Sequence, residues 1–210
     1  MMHEYIKSIL PIKSGILGSI REYGLQNSVP IIRDDVAQLL DILVRASKPK
    51  RILEVGTAIG YSSILMAMAM TEVGRIDTVE ISPEMVLLAR DNIVQAMKQD
   101  VIRVIAGDAL EVLPCLSSEY DLLFLDGAKG HYLNLYNDIK RLLKPGGLLV
   151  CDNVIFQGKI LTAPKDTPRK FRTIVTNMRE FLEILCTDEQ FETTILETGD
   201  GVSLSYRKEI

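Results

Sequence analysis

Cysteine is scarce here and badly placed for cross-linking. Cys115, Cys151 and Cys186 are odd in number, far apart, and include no CxxC pair. That excludes a disulfide framework and a zinc knot, and leaves the thiols to be expected as small buried hydrophobes in a reducing compartment. Histidine is scarcer still, with only His3 and His131; His131 is expected to start a helix at the surface and is given no catalytic role. No block of basic residues stands out and the formal net charge is −4, so a nucleic-acid backbone or an anionic membrane surface is a poor partner. The longest apolar run, Ile64–Met70 with its neighbours, is too short to span a bilayer. The opening Met1-Met2-His3-Glu4 lacks the basic-then-apolar pattern of a signal peptide. The expectation is a cytoplasmic protein acting on a small molecule, with neither nucleic acid nor membrane as partner.

What is present is globular. Hydrophobic residues make up 47% and charged residues 25% of a 210-residue chain, which suits one domain with a sizeable core. Brief apolar runs with little strict alternation occur at Arg51–Val55, Arg75–Glu80, Val101–Ala106, Tyr120–Asp126 and Gly147–Asp152. Such runs suit strands buried on both faces of a parallel sheet. Helical patterns alternate with them. Val36, Leu39, Leu40, Leu43 and Val44 share one face of a helix over Asp34–Ala46. Ser82-Pro83-Glu84 offers a cap, a first-turn proline and an early acid, ahead of an inward stripe at Met85, Ala89, Ile93 and Ala96. A helix over His131–Leu143 is stopped by Lys144-Pro145-Gly146-Gly147, and Tyr132 and Tyr136 on it read as core or interface aromatics. A last amphipathic helix spans Pro168 to about Cys186. Glu192–Glu197 and Val202–Tyr206 then flank Thr198-Gly199-Asp200-Gly201, a hairpin signal. Phe156–Thr167 is the one long polar connection, the kind of loop that often carries function.

Open parallel sheets bind ligands beyond the carboxyl ends of their strands, so polar residues there are informative. The five expected core strands end in, or soon reach, an acid: Glu54, Glu80, Asp108, Asp126 and Asp152. One such acid is ordinary; five along one edge are not. After the first strand, Gly56 permits a tight turn and Gly60 lets the next helix begin close to a ligand, where its amides can receive an anion. The loop is not the GxGxxG of nicotinamide-binding domains, because Ala58 stands at the second glycine position. Glu80, ending the second strand, is placed to bond ribose hydroxyls. A nucleoside with an attached amino acid fits this arrangement better than a dinucleotide.

Leu53–Ser63, with its Leu-Glu-Val-Gly and Gly-Tyr-Ser, resembles the cofactor loop of class I S-adenosylmethionine-dependent methyltransferases, especially the catechol and caffeoyl-CoA O-methyltransferase family. Ala106-Gly107-Asp108-Ala109, Phe124-Leu125-Asp126-Gly127-Ala128-Lys129, Leu143–Asn153 and the closing Gly199-Asp200-Gly201-Val202 match the same family in order and spacing. The likeness runs from about Ile31 to Lys208. It implies an α/β, doubly wound, Rossmann-like sheet of about seven strands, six parallel and the last antiparallel in a C-terminal hairpin. It implies a single methyltransferase domain over 1–210, with an N-terminal helical segment 1–30 and a catalytic core 31–210, and a homodimer. Glu54, Gly56, Gly60, Tyr61 and Ser62 would serve the methionine end of S-adenosylmethionine. Glu80 would hold the ribose, Ile81 would lie against the adenine, and Asp108 and Ala109 would meet its edge. Asp126 would lie beside the cofactor as well. The segment near Ile32 would lie over it; Pro30, where the family often has methionine, is left unassigned. Asp126, Asp152 and Asn153 would bind a divalent cation, Mg²⁺ or alternatively Mn²⁺ or Ca²⁺, and Lys129 would be the base, with Asp126 also counted catalytic.

Two carboxylates and an amide make an oxygen-only set, which suits those hard cations and not zinc. The reaction implied is methyl transfer to one hydroxyl of a catechol-like or caffeoyl-type vicinal diol on a phenolic small molecule. Singly, Asp126 could be a helix cap, Lys129 a solvated lysine, and Asp152-Asn153 a turn cap. Gly127 and Ala128, small where the family is often larger, are expected to widen the neighbouring pocket. Three alternatives stay open: a metal-independent methyltransferase on another small molecule, an NAD-dependent oxidoreductase on a similar sheet, and a non-catalytic cofactor-binding protein.

Overall fold

The computed structural model describes residues 5, 9–11, 13–163 and 166–209. Residues 1–4, 6–8 and 12 of the expected N-terminal segment, and 164–165 of the long connection, lie outside them. In chain order the elements are α1 (Gly15–Gln26), α2 (Asp34–Ser47), β1 (Arg51–Val55), α3 (Tyr61–Ala69), β2 (Arg75–Glu80), α4 (Pro83–Gln95) and β3 (Ile102–Ala106). They continue with α5 (Ala109–Cys115), β4 (Tyr120–Leu125), α6 (Tyr132–Leu142), β5 (Leu143–Asp152), α7 (Arg172–Thr187), β6 (Phe191–Leu196) and β7 (Val202–Arg207). Among the described residues no helix is long and apolar enough to cross a membrane.

One seven-stranded sheet has the order β3-β2-β1-β4-β5-β7-β6. β1 to β5 pair in parallel, and β7 runs antiparallel between β5 and β6. Six strands therefore share one direction and the last is reversed, as the family resemblance implies. The chain builds outward from β1 to β3, then returns to lay β4 on the other side of β1, so the switch point lies between β1 and β4. Strand residues alternate between two cores. Ile52, Ile76, Leu122 and Phe124 face a layer containing α1, α2 and α3. Leu53, Val79, Leu123 and Leu149 face one containing α5, α6 and α7. Covering both faces is what makes the strands near-continuously apolar.

Several expectations shift in detail. β5 begins at Leu143, directly after α6, rather than at Gly147. The pairing steps from Tyr120↔Leu143 to Leu122↔Leu148, so Lys144-Pro145-Gly146-Gly147 is looped out as a bulge inside the strand. Gly146 takes φ 80°, and a Cβ on Gly147 would lie 3.0 Å from the Asp121 carbonyl oxygen. On α4 the inward residues are Val86, Ala89 and Ile93, with Met85 only partly buried. Ser82 caps that helix by accepting from the Met85 amide at 3.4 Å. The final helix is preceded by a 3₁₀ turn at Arg169–Phe171, and another 3₁₀ turn, Lys159–Leu161, lies inside the long connection. Of the thiols only Cys151 is buried; Cys115 and Cys186 are exposed and all three are free. The expectation of buried cysteines holds only where the residue sits in a central strand. Cys115 and Cys186 occupy the last turns of α5 and α7, outside the two cores.

Two devices hold the loops at the switch point. Gly56 has φ +100°, and a Cβ there would stand 2.5 Å from the Gly127 backbone nitrogen. The Val55 carbonyl accepts from both Asp126 and Gly127 amides, at 2.9 and 2.8 Å. Gly127 therefore serves backbone contact between the β1 and β4 loops, since its own Cβ would lie 2.8 Å from the Gly56 Cα. The second device is Glu54, fully buried beneath the glycine loop, which accepts from the Ser63 hydroxyl and from Thr78 Oγ1 at 2.6 Å. Burial pushes its carboxyl up to about 6, against hydrogen bonds that pull it down.

Two outcomes follow from these devices. Gly56→Ala combines a forbidden φ with backbone overlap and should destabilise the fold by at least about 2 kcal/mol, read from urea unfolding. Glu54, raised from 4.5 to about 6, holds its proton more tightly folded than unfolded. Its contribution to stability is thus fully present below pH about 4.5 and is lost as pH rises through about 6. Glu54→Gln should flatten that part of the pH–stability profile by about 2 kcal/mol; an unchanged slope between pH 4.5 and 6.5 would show that Glu54 is not the group responsible.

Candidate functional site

The carboxyl ends of β1 to β5 open onto one cleft with two lobes. The larger lobe, about 290 Å³, is lined by Pro30, Ile31, Arg33, Gly56, Ala58, Glu80, Asp126, Gly127, Lys129, Asp152 and Asn153. The smaller, about 190 Å³, is lined by Val55, Gly56, Val79, Glu80, Ile81, Gly107, Asp108, Ala109, Gly127, Ala128 and His131. Gly56, Glu80 and Gly127 belong to both lobes, so the glycine contact at the switch point forms the saddle between them. The cleft thus lies where a doubly wound sheet is expected to take a ligand.

Glu80 is fixed before any ligand arrives. Its Oε2 accepts from the Ala58 amide at 2.8 Å and its Oε1 from the Ser82 amide at 2.9 Å. A carboxylate oxygen has a second lone pair to offer, so both remain able to accept from a diol on the cleft side. Asp108 caps α5 by accepting from the Leu110 amide at 2.9 Å and also lines the smaller lobe beside Ala109 and the largely exposed Ile81. The cap reading and the ligand reading of that acid are therefore compatible.

The larger lobe carries the charge. Asp126 Oδ1 lies 3.4 Å from Lys129 Nζ. Asp152, 2% exposed, accepts from the Asn153 amide at 2.6 Å. Burial raises the Asp126 carboxyl to about 6, opposed by Lys129. Burial, reinforced by the Asp126 charge, raises Asp152 to about 7. Tyr132, beneath them, is fully buried and its hydroxyl is held protonated, well above the usual phenol range, first by burial and then by nearby Cys151, Asp126 and Asp152. Among the described residues no three His, Cys, Asp or Glu side chains form a metal cluster. The donor set is two carboxylates and the Asn153 amide. Two partly dehydrated acids facing one ammonium leave a local excess of negative charge on hard oxygen donors, which fits a small divalent cation. Backbone strain gathers here too: Ala58, Ala128, Asn153, Phe156 and Gln157 all have positive φ.

Of the residues expected from the sequence, Gly56, Glu80, Ile81, Asp108, Ala109, Asp126, Lys129, Asp152 and Asn153 line the cleft. Glu54, Gly60, Tyr61 and Ser62 do not. Glu54 braces the loop from below, and a Cβ on Gly60 would face Ala89 of α4. Tyr61 is 2% exposed, with its hydroxyl buried and near the Arg21–Asp34 ion pair. Ser62 is 5% exposed, within the first turn of α3. Ile32 turns into the core while its neighbours Ile31 and Arg33 reach the cleft. Arg33 and His131 were not foreseen. Arg33 is placed by its bond to the Gly199 carbonyl at 3.0 Å, a contact across 166 positions that no local pattern could announce. His131 does start a helix at the surface, but the 3₁₀ turn Lys129–His131 brings it to the smaller lobe.

Comparison with known proteins agrees with this geometry. An O-methyltransferase family model matches residues 8–208. A catechol O-methyltransferase of Niastella koreensis is 34% identical over 97% of this chain and 95% of its own length. Caffeoyl-CoA O-methyltransferase 2 of Populus trichocarpa is 30% identical over 98% of this chain and 88% of its own length. Among solved structures, the O-methyltransferase of Bacillus cereus in complex with SAH superimposes with a TM-score of 0.85 at 26% identity, covering 98% of this chain and 96% of that one. The nicotinamide and non-catalytic alternatives fall away. With nearly its whole length matched and its sheet, switch point and cleft in agreement, this chain belongs to the O-methyltransferase family.

Proposed function

We propose that the protein moves a methyl group from S-adenosylmethionine to one hydroxyl of a catechol-like or caffeoyl-type vicinal diol, with a divalent cation, Mg²⁺ or alternatively Mn²⁺ or Ca²⁺, held by Asp126, Asp152 and Asn153. The observation that carries this reading is that Asp126, Lys129, Asp152 and Asn153 line one lobe together with Glu80. The SAH held by the Bacillus cereus relative and the catechol and caffeoyl-CoA names of the others support the donor and the acceptor class.

Glu80, with both oxygens anchored on backbone amides, presents a rigid acceptor to the ribose hydroxyls. Ile81, Asp108 and Ala109 form the wall for the base in the smaller lobe. Once bound, the sulfonium supplies the methyl group, and the cation lowers the pKa of a hydroxyl it touches and fixes its position. Lys129 accepts the hydroxyl proton at Nζ. That nitrogen stands 3.4 Å from Asp126 Oδ1, on the side of the lobe where the cation ligands lie. Gly56 and Gly127 keep the saddle free of side chains, so that the two lobes communicate and their occupants meet in line. We also assign the protein to the cytoplasm and to a homodimer, the latter in keeping with the exposed Ile9 and Tyr23 of the N-terminal segment.

The decisive experiment removes the metal. Turnover of a catechol should vanish in EDTA and return with Mg²⁺ or Mn²⁺. Asp152→Ala should abolish turnover while S-adenosylmethionine still binds in calorimetry, because Glu80 and the smaller lobe are untouched. Full activity on enzyme shown to be metal-free would leave a metal-independent methyltransferase instead. Separately, Lys129→Ala should retain metal binding but slow turnover by about 10²–10⁴-fold, with partial recovery as pH rises and the hydroxyl ionises unaided. A rate loss that is the same at every pH would count against Lys129 as the base.

A further inference from the structure

We propose that Tyr132 is a positioning residue whose hydroxyl sets the spacing of the two carboxylate-bearing strand ends by bridging the last carbonyls of β4 and β5. This rests on Asp126 and Asp152 being cation ligands, as argued above. After the bulge, parallel pairing between β4 and β5 runs from Leu122↔Leu148 to Leu125↔Cys151. The next residue on each strand is the carboxylate. At that level each strand is still held by its other neighbour: the Asp126 amide donates to Val55 of β1, and Asp152 pairs with Val202 of β7. The ladder that keeps β4 and β5 in register thus stops one residue short of the pair whose separation matters.

The Tyr132 hydroxyl takes over at that point. It donates to the Leu125 carbonyl at 2.9 Å and lies 3.4 Å from the Asp152 carbonyl. The first of these belongs to the peptide bond leading into Asp126, and the second belongs to Asp152 itself. One proton is shared between two carbonyls at a buried position, so the phenol acts as the missing rung. The ring is fully buried and meets Phe181 of α7 edge-on, with centroids 5.4 Å apart. Packing therefore seats the ring whether or not it carries a hydroxyl. Tyr132 follows Asp126 by six residues and Lys129 by three, so one short segment supplies a carboxylate, an ammonium and the clamp. Without the hydroxyl, the two carbonyls would lose the donor that they share at the level of the carboxylates. Glu80 is anchored separately, on the Ala58 and Ser82 amides, and would not be affected.

Tyr132→Phe keeps the ring and removes only the bridge. Mn²⁺ binding, followed by electron paramagnetic resonance, should weaken by about 10-fold or more, while SAH affinity in calorimetry stays within about twofold. Phe181→Leu serves as the packing control: it should lower the melting temperature yet leave Mn²⁺ affinity within about twofold. Unchanged Mn²⁺ affinity in Tyr132→Phe would overturn the proposal, and so would an equal loss in Phe181→Leu, which would mark general loosening. Failure of the wild-type protein to bind Mn²⁺ at all is a different result, overturning the cation reading itself and this proposal with it.

Discussion

The close approach of two backbones, at Gly56 and Gly127, is the constraint on which the rest depends. With no side chain on either residue, the loops that follow β1 and β4 meet at the switch point, and the Val55 carbonyl ties Asp126 and Gly127 to the end of β1. Everything that faces the cleft is measured from this contact. It forms the saddle between the lobes, with Glu80 reaching both and Asp126 lining the larger. The small residue at 127, which in the sequence suggests a roomier pocket, is there because a Cβ would collide with the neighbouring loop.

Electrostatics follow from the same crowding. Glu54, Asp126 and Asp152 sit at the ends of three adjacent strands and are all raised by burial, with Lys129 as the cation paired to Asp126. A fold that gathers dehydrated acids in this way gives up some stability at neutral pH. Glu54 offsets part of the expense through hydroxyl donors. Asp126 and Asp152 are left facing a cavity, which is the arrangement of a site that completes itself with a positive partner.

The closing hairpin is structural support as much as a topological signature. Its turn reaches both α2 and the strained loop after β5. Gly199 donates to Asp35 and accepts from Arg33, while Asp200 accepts from the Gln157 amide and Ile155 donates to the Asp200 carbonyl. The positive φ values at Asn153, Phe156 and Gln157 are therefore held from outside the loop itself. The O-methyltransferase cleft is in this sense assembled from three distant stretches of chain.

The sequence alone determined the elements whose causes are local: apolar runs for strands, caps and periodicity for helices, a glycine-rich turn for the hairpin. Strand ends carry their acids with them, which is why Glu80, Asp108, Asp126 and Asp152 were legible as a set. Only the tertiary structure decided which of these face a cavity. Glu54 and Tyr61 sit in the same motif as Gly56, yet side chains in a strand and at a helix start point to opposite faces, and theirs point beneath the loop. Arg33 reaches the cleft through a turn 166 residues away, and Cys115 and Cys186 lie outside the cores. The bulge at Lys144–Gly147 and the bridge from Tyr132 have the same origin. Each is a contact between chain segments, whose direction depends on where the other segment stands, and local propensity carries no information about that.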